Sequence, residues 1–363
     1  MAEPDIFVVI GTRPEIIKMA PIIHECRKRG TPHYVLHTGQ HYSRKMSQEF
    51  FKDLDLAAPD KNLNIGSGSH STQTAKALVG IEKELIQEKP DVVLVQGDTN
   101  AVLSAALAAV KLNIPVAHVE AGLRSYDVRM PEEHNRRLTD HASAYLFAPT
   151  ENSKRILEDE SVWGEIFVTG NTVIDTLESR IPIAQKRFSN SDMNLPDEFA
   201  LLTLHRAENV DDKEILSGII EGLLRLETPI IFPAHPRTIS RLRAFDMLLK
   251  LEDSPKIRII EPVGYLQFLY LMEEASFIIT DSGGLQEEVT APSLNKQAFV
   301  LRTSTERPEA VNSGHVMVVG IDKDVFPKRI KKGLDNPKKR RSCPYGDGTA
   351  AIKILDILEK KQK

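Results

Sequence analysis

The sequence predicts an α/β fold of two doubly wound parallel-sheet domains that face one another across a cleft. Short, β-branched apolar runs alternate with helical stretches along the 363 residues, and this alternation is the element order of a doubly wound sheet. The polar stretch Phe188–Asp192 interrupts the alternation, which then begins again. The chain is also long enough for two domains with a hydrophobic core each.

In the first half, the apolar runs are brief, as expected for parallel strands that are buried on both faces. The predicted strands are Ile6–Ile10, Tyr34–Thr38, Val92–Val95, Val116–Val119 and Tyr145–Ala148. The predicted helices are Pro14–Arg29, Ser43–Leu54, Thr74–Glu88, Ala101–Leu112 and Glu132–Ala142, and Asn62–Gln73 is a loop rich in Gly and Ser. We assign residues 1–172 to the N-terminal domain.

The second half has the same element order without a visible sequence repeat. Helix Val173–Arg187 comes first, and we assign residues 173–347 to a C-terminal domain. The predicted strands are Phe199–Leu204, Pro229–Pro233, Ile257–Ile260, Phe277–Thr280 and Phe299–Leu301. The closing segment Gly348–Lys361 is amphipathic, so we expect a helix within residues 348–363 to pack back on the N-terminal domain.

The composition is that of an ordinary globular protein, with 41% hydrophobic and 27% charged residues and a formal net charge of −4. This charge gives no general attraction to nucleic acid or to an anionic membrane. The basic cluster in Lys328–Lys332 and Lys338–Arg341 has no interleaved aromatics, which favours a solvated face. Because the chain lacks a membrane-spanning apolar run and signal-peptide features, we predict a cytoplasmic protein.

Two acids follow consecutive predicted strands of the first half. Asp98 comes just after Val92–Val95, and Glu120 comes just after Val116–Val119. Ligands of open α/β sheets bind outside the carboxyl ends of the strands, so both side chains are expected at the mouth of one crevice. Two carboxylates in that position suggest proton transfer.

Two cations follow the first predicted strand of the first half. A glycine-containing turn follows strand Phe277–Thr280 of the second half. Arg13 starts a helix just before Pro14, where backbone N–H groups favour an anion, and Lys18 adds a cation one turn on. In the second half Ser282, Gly283 and Gly284 form a strand-to-helix turn that would allow close approach of a phosphate. Glu288, one turn later, has the right chemistry to hold a ribose diol, although a surface acid is the simpler interpretation.

Five further candidates have ordinary structural interpretations that stay open. His205 and His235 each follow a predicted strand, and Arg307 could pair with a phosphate or with an acid. Glu132 and Arg136 are four residues apart on one helix face, which is also the spacing of a common helix ion pair.

Several kinds of site are disfavoured. The turn after the first strand is Gly-Thr-Arg-Pro-Glu rather than Gly-x-Gly-x-x-Gly, which makes a dinucleotide at this turn unlikely. The sequence has no Gly-x-Ser-x-Gly elbow and no His-x-x-x-His or Cys-x-x-Cys spacing, which disfavours hydrolase triads and zinc sites. Cys26 and Cys343 lie far apart and are expected to be free thiols.

The ordered motifs together resemble one family, the non-hydrolysing UDP-N-acetylglucosamine 2-epimerases, and in particular its archaeal-type members. The motifs are GTRPEIIKMAP, HTGQHYS, NLNIGSG, PDVVLVQGDTN, AHVEAGLRS, MPEEHNRRLTDH, FAPTE, VTGNTVID, LLTLHRAENV, PAHPRT, EPVGYLQF, TDSGGLQEE and TERPE. The resemblance implies two Rossmann-like domains in the GT-B arrangement, with the active site in the cleft. It also implies interconversion of UDP-GlcNAc and UDP-ManNAc without NAD or an essential metal ion, by a homodimer.

The resemblance implies roles for individual residues. The positions that match nucleotide-contacting residues are Arg13, Lys18, His205, Phe268, Ser282, Gly283, Gly284, Glu288 and Arg307. Those that match residues implicated in catalysis are Asp98, Glu120, Glu132, Arg136 and His205. Bacterial members bind a second UDP-GlcNAc as an activator, and Gln40, His41 and His235 match part of that effector site.

Two departures from the family pattern lie close together. Residues 289–297 are about two residues longer than the usual segment, and Gln297 stands where a proline is common. Two other functions share the same motifs: a hydrolysing epimerase that releases ManNAc and UDP, and a non-catalytic nucleotide-sugar sensor.

Overall fold

The computed structural model describes residues 5–39, 50–191, 193–337, 339–340 and 342–361. The chain divides into two compact units. The N-terminal unit comprises residues up to Thr176 together with those from Tyr345 onward, and the C-terminal unit comprises Leu177–Pro344. Each unit is built on a parallel β-sheet with helices between its strands, which confirms the predicted α/β class.

The N-terminal unit contains a seven-stranded sheet with the strand order β3-β2-β1-β4-β5-β6-β7. Its strands are β1 (Ile6–Ile10), β2 (His33–His37), β3 (Lys61–Asn62), β4 (Val92–Gln96), β5 (Val116–Val119), β6 (Tyr145–Ala148) and β7 (Glu165–Val168). Its helices are α1 (Arg13–Arg29), α2 (His70–Glu88), α3 (Asn100–Lys111), α4 (Pro131–Ala142) and α5 (Glu151–Asp159). Helix α6 (Thr172–Phe188) leads into the second unit.

The C-terminal unit contains a six-stranded sheet with the order β10-β9-β8-β11-β12-β13. Its strands are β8 (Ala200–Thr203), β9 (Ile230–Pro233), β10 (Ile257–Ile260), β11 (Phe277–Thr280), β12 (Ala298–Val300) and β13 (Val316–Val318). Its helices are α7 (Ala207–Val210), α8 (Lys213–Leu223), α9 (Pro236–Ala244), α10 (Leu248–Glu252), α11 (Tyr265–Glu274), α12 (Gly283–Glu288), α13 (Pro308–Asn312) and α14 (Phe326–Asp335). Helix α15 (Ala350–Lys361) returns to the first unit, where Asp356 and Glu359 pair with Arg29 of α1.

The central strands are buried on both faces, as their continuous apolar sequences predict. In β1, Phe7 and Val9 pack in one core cluster with residues of α2 and α3. The alternate residues Ile6, Val8 and Ile10 are also fully buried. Since successive side chains of a strand point to opposite faces, a second layer must cover the other face of the sheet.

Both sheets have a topological switch point between two neighbouring strands. In the N-terminal sheet the strand order reverses between β1 and β4, and in the C-terminal sheet it reverses between β8 and β11. Ligands of open α/β sheets bind at such points, outside the carboxyl ends of the strands. Ligand-binding residues are therefore expected in the turns that follow these four strands.

The predicted strands are present within the described residues, and three strands were missed. The missed strands β3, β7 and β13 are edge strands. Helix α2 begins at His70, four residues earlier than predicted, because Ser69 caps it by accepting a hydrogen bond from Thr72 N. The predicted helix Ser43–Leu54 lies mostly outside the described residues, which show its residues 50–53 as helical. No helix in the described part of the chain is both long and apolar enough to cross a membrane.

Candidate active site

Asp98 lies in the turn after β4, where it forms an ion pair with a helix cation. Arg136 Nη2 of α4 is 2.5 Å from Asp98 Oδ2. The Asp98 side chain is 33% exposed, whereas that of Arg136 is 11% exposed. Asn135 Nδ2 also donates to the backbone carbonyl of Asp98 at 2.9 Å. Helix α4 therefore fixes this turn through a charge and a neutral amide.

Glu120 follows β5 in a left-handed backbone conformation, with φ of 69°. This conformation costs a non-glycine residue about 1–3 kcal/mol and is found preferentially at functional sites. The carboxylate is 7% exposed and pairs with the ammonium of Lys18. Gln96 Nε2 and Asn171 Nδ2 donate to the same oxygen at 3.0 and 3.3 Å. One cation and two amides thus hold a largely buried anion.

The acid that holds Arg136 from its own helix is Glu133. Glu133 is 1% exposed in its side chain, and Arg136 Nη1 lies 3.0 Å from its carboxylate. Ser125 donates to Glu133 from its backbone N and its hydroxyl, at 2.8 and 2.9 Å. Burial opposes ionisation, but the Ser125 donors and the charge of Arg136 outweigh it and lower the pKa of Glu133. Glu132 is half-buried, and in the described part of the chain no ion pair joins it to Arg136.

A buried acid at the start of α1 connects the two turns of the N-terminal switch point. Glu15 is 2% exposed and accepts hydrogen bonds from the backbone N–H groups of Gly11 and Thr12, which follow β1. Thr99, in the turn after β4, donates its hydroxyl to Glu15 Oε1 at 2.5 Å. Burial raises the pKa of Glu15 to about 7 against these hydrogen bonds, and the charge of Asp98 adds to the rise. We did not single out Glu15 from the sequence.

A buried network of hydrogen bonds and ion pairs also contacts the turn after β4. His118 on β5 is fully buried, and its Nε2 donates to the carbonyl of Gly97 at 2.8 Å. Its Nδ1 lies 2.7 Å from Asp140 Oδ1, and Arg124 Nη1 lies 2.7 Å from the other oxygen of that carboxylate. Gly97 has φ of 83°, a conformation that glycine adopts without strain.

Arg13 and Lys18, both predicted to contact nucleotide, lie on α1 in different surroundings. The guanidinium of Arg13 lies 5.1 Å from the centroid of the Phe50 ring. Lys18 is largely buried against Glu120. The structure therefore brings Lys18 to one of the proposed proton-transfer acids, while nucleotide contact by either cation stays a prediction.

In the C-terminal unit, His205 and Asp281 meet at the switch point between β8 and β11. His205 Nδ1 lies 3.2 Å from Asp281 Oδ1, and the His205 side chain is 43% exposed while that of Asp281 is fully buried. Ser282 follows Asp281 and is the N-cap of α12, whose first residues are Gly283 and Gly284. The first N–H groups of a helix have no intrahelical acceptor, so this turn presents donors beside His205.

Three other predicted binding residues lie in the C-terminal unit. Arg307 forms an ion pair with Glu287 of α12, which is fully buried. Glu288, the next residue, is half-buried and close enough to Tyr265 for its charge to add to the effect of burial in raising the pKa of that phenol. Phe268, half-buried, is on the same helix as Tyr265. Of the predicted binding residues, Phe268 therefore lies on α11 and Glu288 on α12.

The predicted effector residues are only partly described. Gln40 and His41 lie outside the described residues. His235 is the N-cap of α9, and its ring centroid is 6.2 Å from that of His205. His235 Nδ1 accepts a hydrogen bond from Arg237 N at 3.2 Å. The effector role of all three residues stays a prediction.

Segment 289–297, predicted to be longer than in the family, is held by hydrogen bonds within the C-terminal unit. Ser293 donates from its backbone N and its hydroxyl to Glu178 Oε1 at 2.9 and 2.6 Å. Asn295 Oδ1 lies 3.1 Å from Nε2 of His315, which is buried. Gln297 is 8% exposed and directly precedes β12.

The described residues contain no cluster of three or more His, Cys, Asp or Glu side chains that could hold a metal ion. The acids and bases of the two switch points are instead paired with cations, amides or one another. The available chemistry is proton transfer by carboxylates in one unit and anion binding by a histidine and a helix start in the other.

Comparison with known proteins gives matches over nearly the whole chain. A sequence profile of the family described as UDP-N-acetylglucosamine 2-epimerase matches residues 24–359. The UDP-N-acetylglucosamine 2-epimerase of Methanocaldococcus jannaschii is 50% identical over 361 residues, covering 97% of this chain and 98% of the relative. The UDP-2,3-diacetamido-2,3-dideoxy-D-glucuronate 2-epimerase of Pseudomonas aeruginosa is 38% identical over 359 residues, covering 98% and 99%.

A solved structure agrees with these matches. The crystal structure of the Methanocaldococcus jannaschii UDP-GlcNAc 2-epimerase in complex with UDP-GlcNAc and UDP is 49% identical to this chain, with a TM-score of 0.89. The match covers 98% of this chain and 99% of that one.

Proposed function

Because the chain belongs to the UDP-N-acetylglucosamine 2-epimerase family, we propose that it interconverts UDP-GlcNAc and UDP-ManNAc without net hydrolysis. The observation that carries this proposal is the pair of strand-end carboxylates in the N-terminal unit. Asp98 and Glu120 follow neighbouring strands, and each is paired with its own cation. Inversion at a carbon requires a proton to leave one face and another to arrive at the opposite face, so two separate carriers suit the reaction.

The proposed reaction is an elimination followed by an addition. A carboxylate removes the C2 proton while the C1–O bond breaks, the oxygen of UDP takes the bonding electrons, and 2-acetamidoglucal forms with a C1=C2 double bond. Delivery of a proton to the opposite face of C2 and re-addition of UDP at C1 then give the epimer. The C2 hydrogen is scarcely acidic, so departure of the diphosphate must lead, and its developing charge needs stabilisation.

We propose that Asp98 and Glu120 are the two proton carriers. Asp98 is paired with Arg136 and Glu120 with Lys18, so each acid lies beside a cation. The left-handed backbone at Glu120 and the fixed turn at Asp98 hold both groups in place. Glu132 is proposed to assist one of these acids.

We propose that the C-terminal unit binds the nucleotide diphosphate. His205, the Ser282 hydroxyl, the N–H groups of Gly283 and Gly284, and Arg307 would face the phosphates. Arg13 is a further proposed phosphate contact, as the resemblance implies. Glu288 would accept hydrogen bonds from the ribose hydroxyls, and Phe268 offers an aromatic face to the base. These roles follow the family resemblance, and the charge pattern of the described residues supports them.

A second candidate substrate is UDP-2,3-diacetamido-2,3-dideoxy-D-glucuronate, the sugar nucleotide in the name of the Pseudomonas aeruginosa relative. That relative is 38% identical to this chain, whereas the Methanocaldococcus jannaschii enzyme is 50% identical. The higher identity favours UDP-GlcNAc.

The test is incubation of the purified chain in deuterated water with each sugar nucleotide separately, followed by NMR and mass spectrometry of the products. UDP-ManNAc that carries deuterium at C2 supports the proposal. Free ManNAc with UDP would show a hydrolysing epimerase, and product from the diacetamido-glucuronate alone would show the second substrate. Tight binding of UDP-GlcNAc without any deuterium uptake would rule out catalysis.

A further inference from the structure

Asp281 is a buried carboxylate surrounded by hydrogen-bond donors. Its side chain is fully buried at the end of β11. The backbone N of His205 lies 3.2 and 3.0 Å from its two oxygens, and Arg206 N donates to Oδ2 at 2.9 Å. Asn209 Nδ2 donates to the same oxygen at 3.2 Å while also donating to the carbonyl of Leu301 at 3.0 Å. The carboxylate thus fastens the turn after β8 to the turn after β11.

The hydrogen bonds that Asp281 accepts indicate which ring nitrogen of His205 carries a proton. Two backbone N–H groups and one side-chain amide already donate to Asp281, so its oxygens act as acceptors and the group is ionised. Burial opposes ionisation, but the contact with His205 outweighs it and lowers the pKa of Asp281. His205 Nδ1 lies 3.2 Å from Oδ1, and because an ionised carboxylate only accepts, we assign a proton to this nitrogen.

We propose that Asp281 is a positioning residue that keeps a proton on His205 Nδ1, so that Nε2, once protonated, donates a hydrogen bond to the diphosphate of the substrate. The inference rests on the proposed function for the identity of the ligand, and on the C-terminal unit alone for its geometry. A carboxylate that orients a histidine through its other ring nitrogen is a recurrent arrangement in metal and catalytic sites. Here the supporting carboxylate comes from the neighbouring strand across the switch point.

His235 provides an internal reference. Its Nδ1 accepts a hydrogen bond from Arg237 N, so when neutral it has the opposite tautomer, with the proton on Nε2. The ring centroids of His205 and His235 are 6.2 Å apart. The two neighbouring histidines therefore predict two distinct sets of ring ¹⁵N signals in one protein.

The experiment records ring ¹⁵N signals of the full-length wild type, of Asp281→Asn and of Asn209→Ala at a pH where both histidines are neutral. His205→Gln and His235→Gln spectra assign the signals. The wild type should show Nδ1–H at His205 and Nε2–H at His235, and Asp281→Asn should alter the tautomer of His205 only. Asn209→Ala is the matched control, because it removes a donor to Asp281 and leaves the contact with His205 Nδ1 intact.

The kinetic measurement uses the same three proteins. We expect Asp281→Asn to lower kcat by about 10- to 100-fold, in the range of losses that follow removal of a supporting partner. Asn209→Ala should retain kcat after correction for the folded fraction. An Nε2–H tautomer at His205 in the wild type, or equal losses of kcat in both variants, would overturn the proposal. A wild type without epimerase activity but with the predicted tautomers would contradict the proposed function and leave the His205–Asp281 geometry standing.

Discussion

The two units each place a buried carboxylate at the switch point of their sheet, but the two carboxylates differ in charge. Glu15 connects the turns after β1 and β4, and Asp281 connects the turns after β8 and β11. The pKa of Glu15 is raised to about 7, whereas that of Asp281 is lowered. Both groups are buried and both accept backbone N–H donors, so neither burial nor backbone hydrogen bonding explains the difference.

The difference comes from the charges nearby. Glu15 has a hydroxyl and two amides as donors, and the charge of Asp98 raises its pKa further. Asp281 faces the ring of His205, and the cationic form of that ring stabilises the carboxylate. The N-terminal unit therefore has an acid with a pKa near neutral beside its proposed proton carriers, while the acid of the C-terminal unit, in contact with the proposed phosphate ligand His205, has a lowered pKa. Carboxylates at the switch points of the two sheets thus have pKa values that are shifted in opposite directions.

The largest effect is expected from Asp98→Asn. If the N-terminal unit performs the proton transfer, this change should lower turnover by about 10²- to 10⁴-fold, the usual range for a general acid or base. UDP affinity, measured by calorimetry, should change little. The control is Asp127→Asn in the same unit, which removes an exposed ion pair with Arg129. Normal turnover with a large loss of UDP affinity would refute a catalytic role for Asp98.

Glu15→Gln should change how stability depends on pH. Glu15 has a pKa of about 7 in the folded state against an ordinary value of 4.5, so the folded state binds the proton more tightly. The unfolding free energy of the wild type should therefore fall as pH rises from 4.5 to above 7, by about 3 kcal/mol for this group. Urea unfolding at several pH values should show a flatter dependence for Glu15→Gln.

Asp281→Asn is the matched comparison in the other sheet. The lowered pKa of Asp281 places its titration below pH 4, so its stabilising contribution is lost only in acid. Between pH 5.5 and 8 this variant should be less stable than the wild type. Equal pH slopes for wild type and Glu15→Gln would contradict the comparison.

The smallest expected effect is a difference in stability between variants of two adjacent acids of α4. Glu133→Gln should destabilise the protein by about 1.5–3 kcal/mol, because Glu133 accepts charged donors from Arg136 and Arg137. Glu132→Gln should change stability by less than about 0.5 kcal/mol and lower turnover. Thermal unfolding and kinetics of both variants test this. A large stability loss in Glu132→Gln would show a structural role instead.

The sequence predicts the interior of each sheet better than its edges. Strands such as Val92–Gln96 are buried on both faces, and the run Val92–Val95 within it is continuously apolar. Both residues of the missed edge strand Lys61–Asn62 are exposed, and so are both end residues of Glu165–Val168. An edge strand forms because its backbone pairs with a neighbour, and that pairing leaves little trace in a short sequence.

The candidate site is likewise predicted only in part from the sequence. Acids and glycines at strand ends are visible from the order of motifs, but their partners come from distant positions. Lys18 and Asn171 lie 102 and 51 residues from Glu120. The choice between Glu132 and Glu133 as partner of Arg136 depends on Ser125, whose donors fix Glu133. Helical spacing places both acids within reach and does not separate them.

The central claim is that Asp98 and Glu120 serve opposite faces of C2. The most direct measurement is deuterium exchange at C2 in Asp98→Asn and Glu120→Gln, each starting from UDP-GlcNAc and from UDP-ManNAc. Each variant should retain one proton carrier, exchange the C2 hydrogen of one epimer only, and differ from the other variant in which epimer that is. Exchange of the same epimer by both variants, or of both epimers by either, would contradict the account.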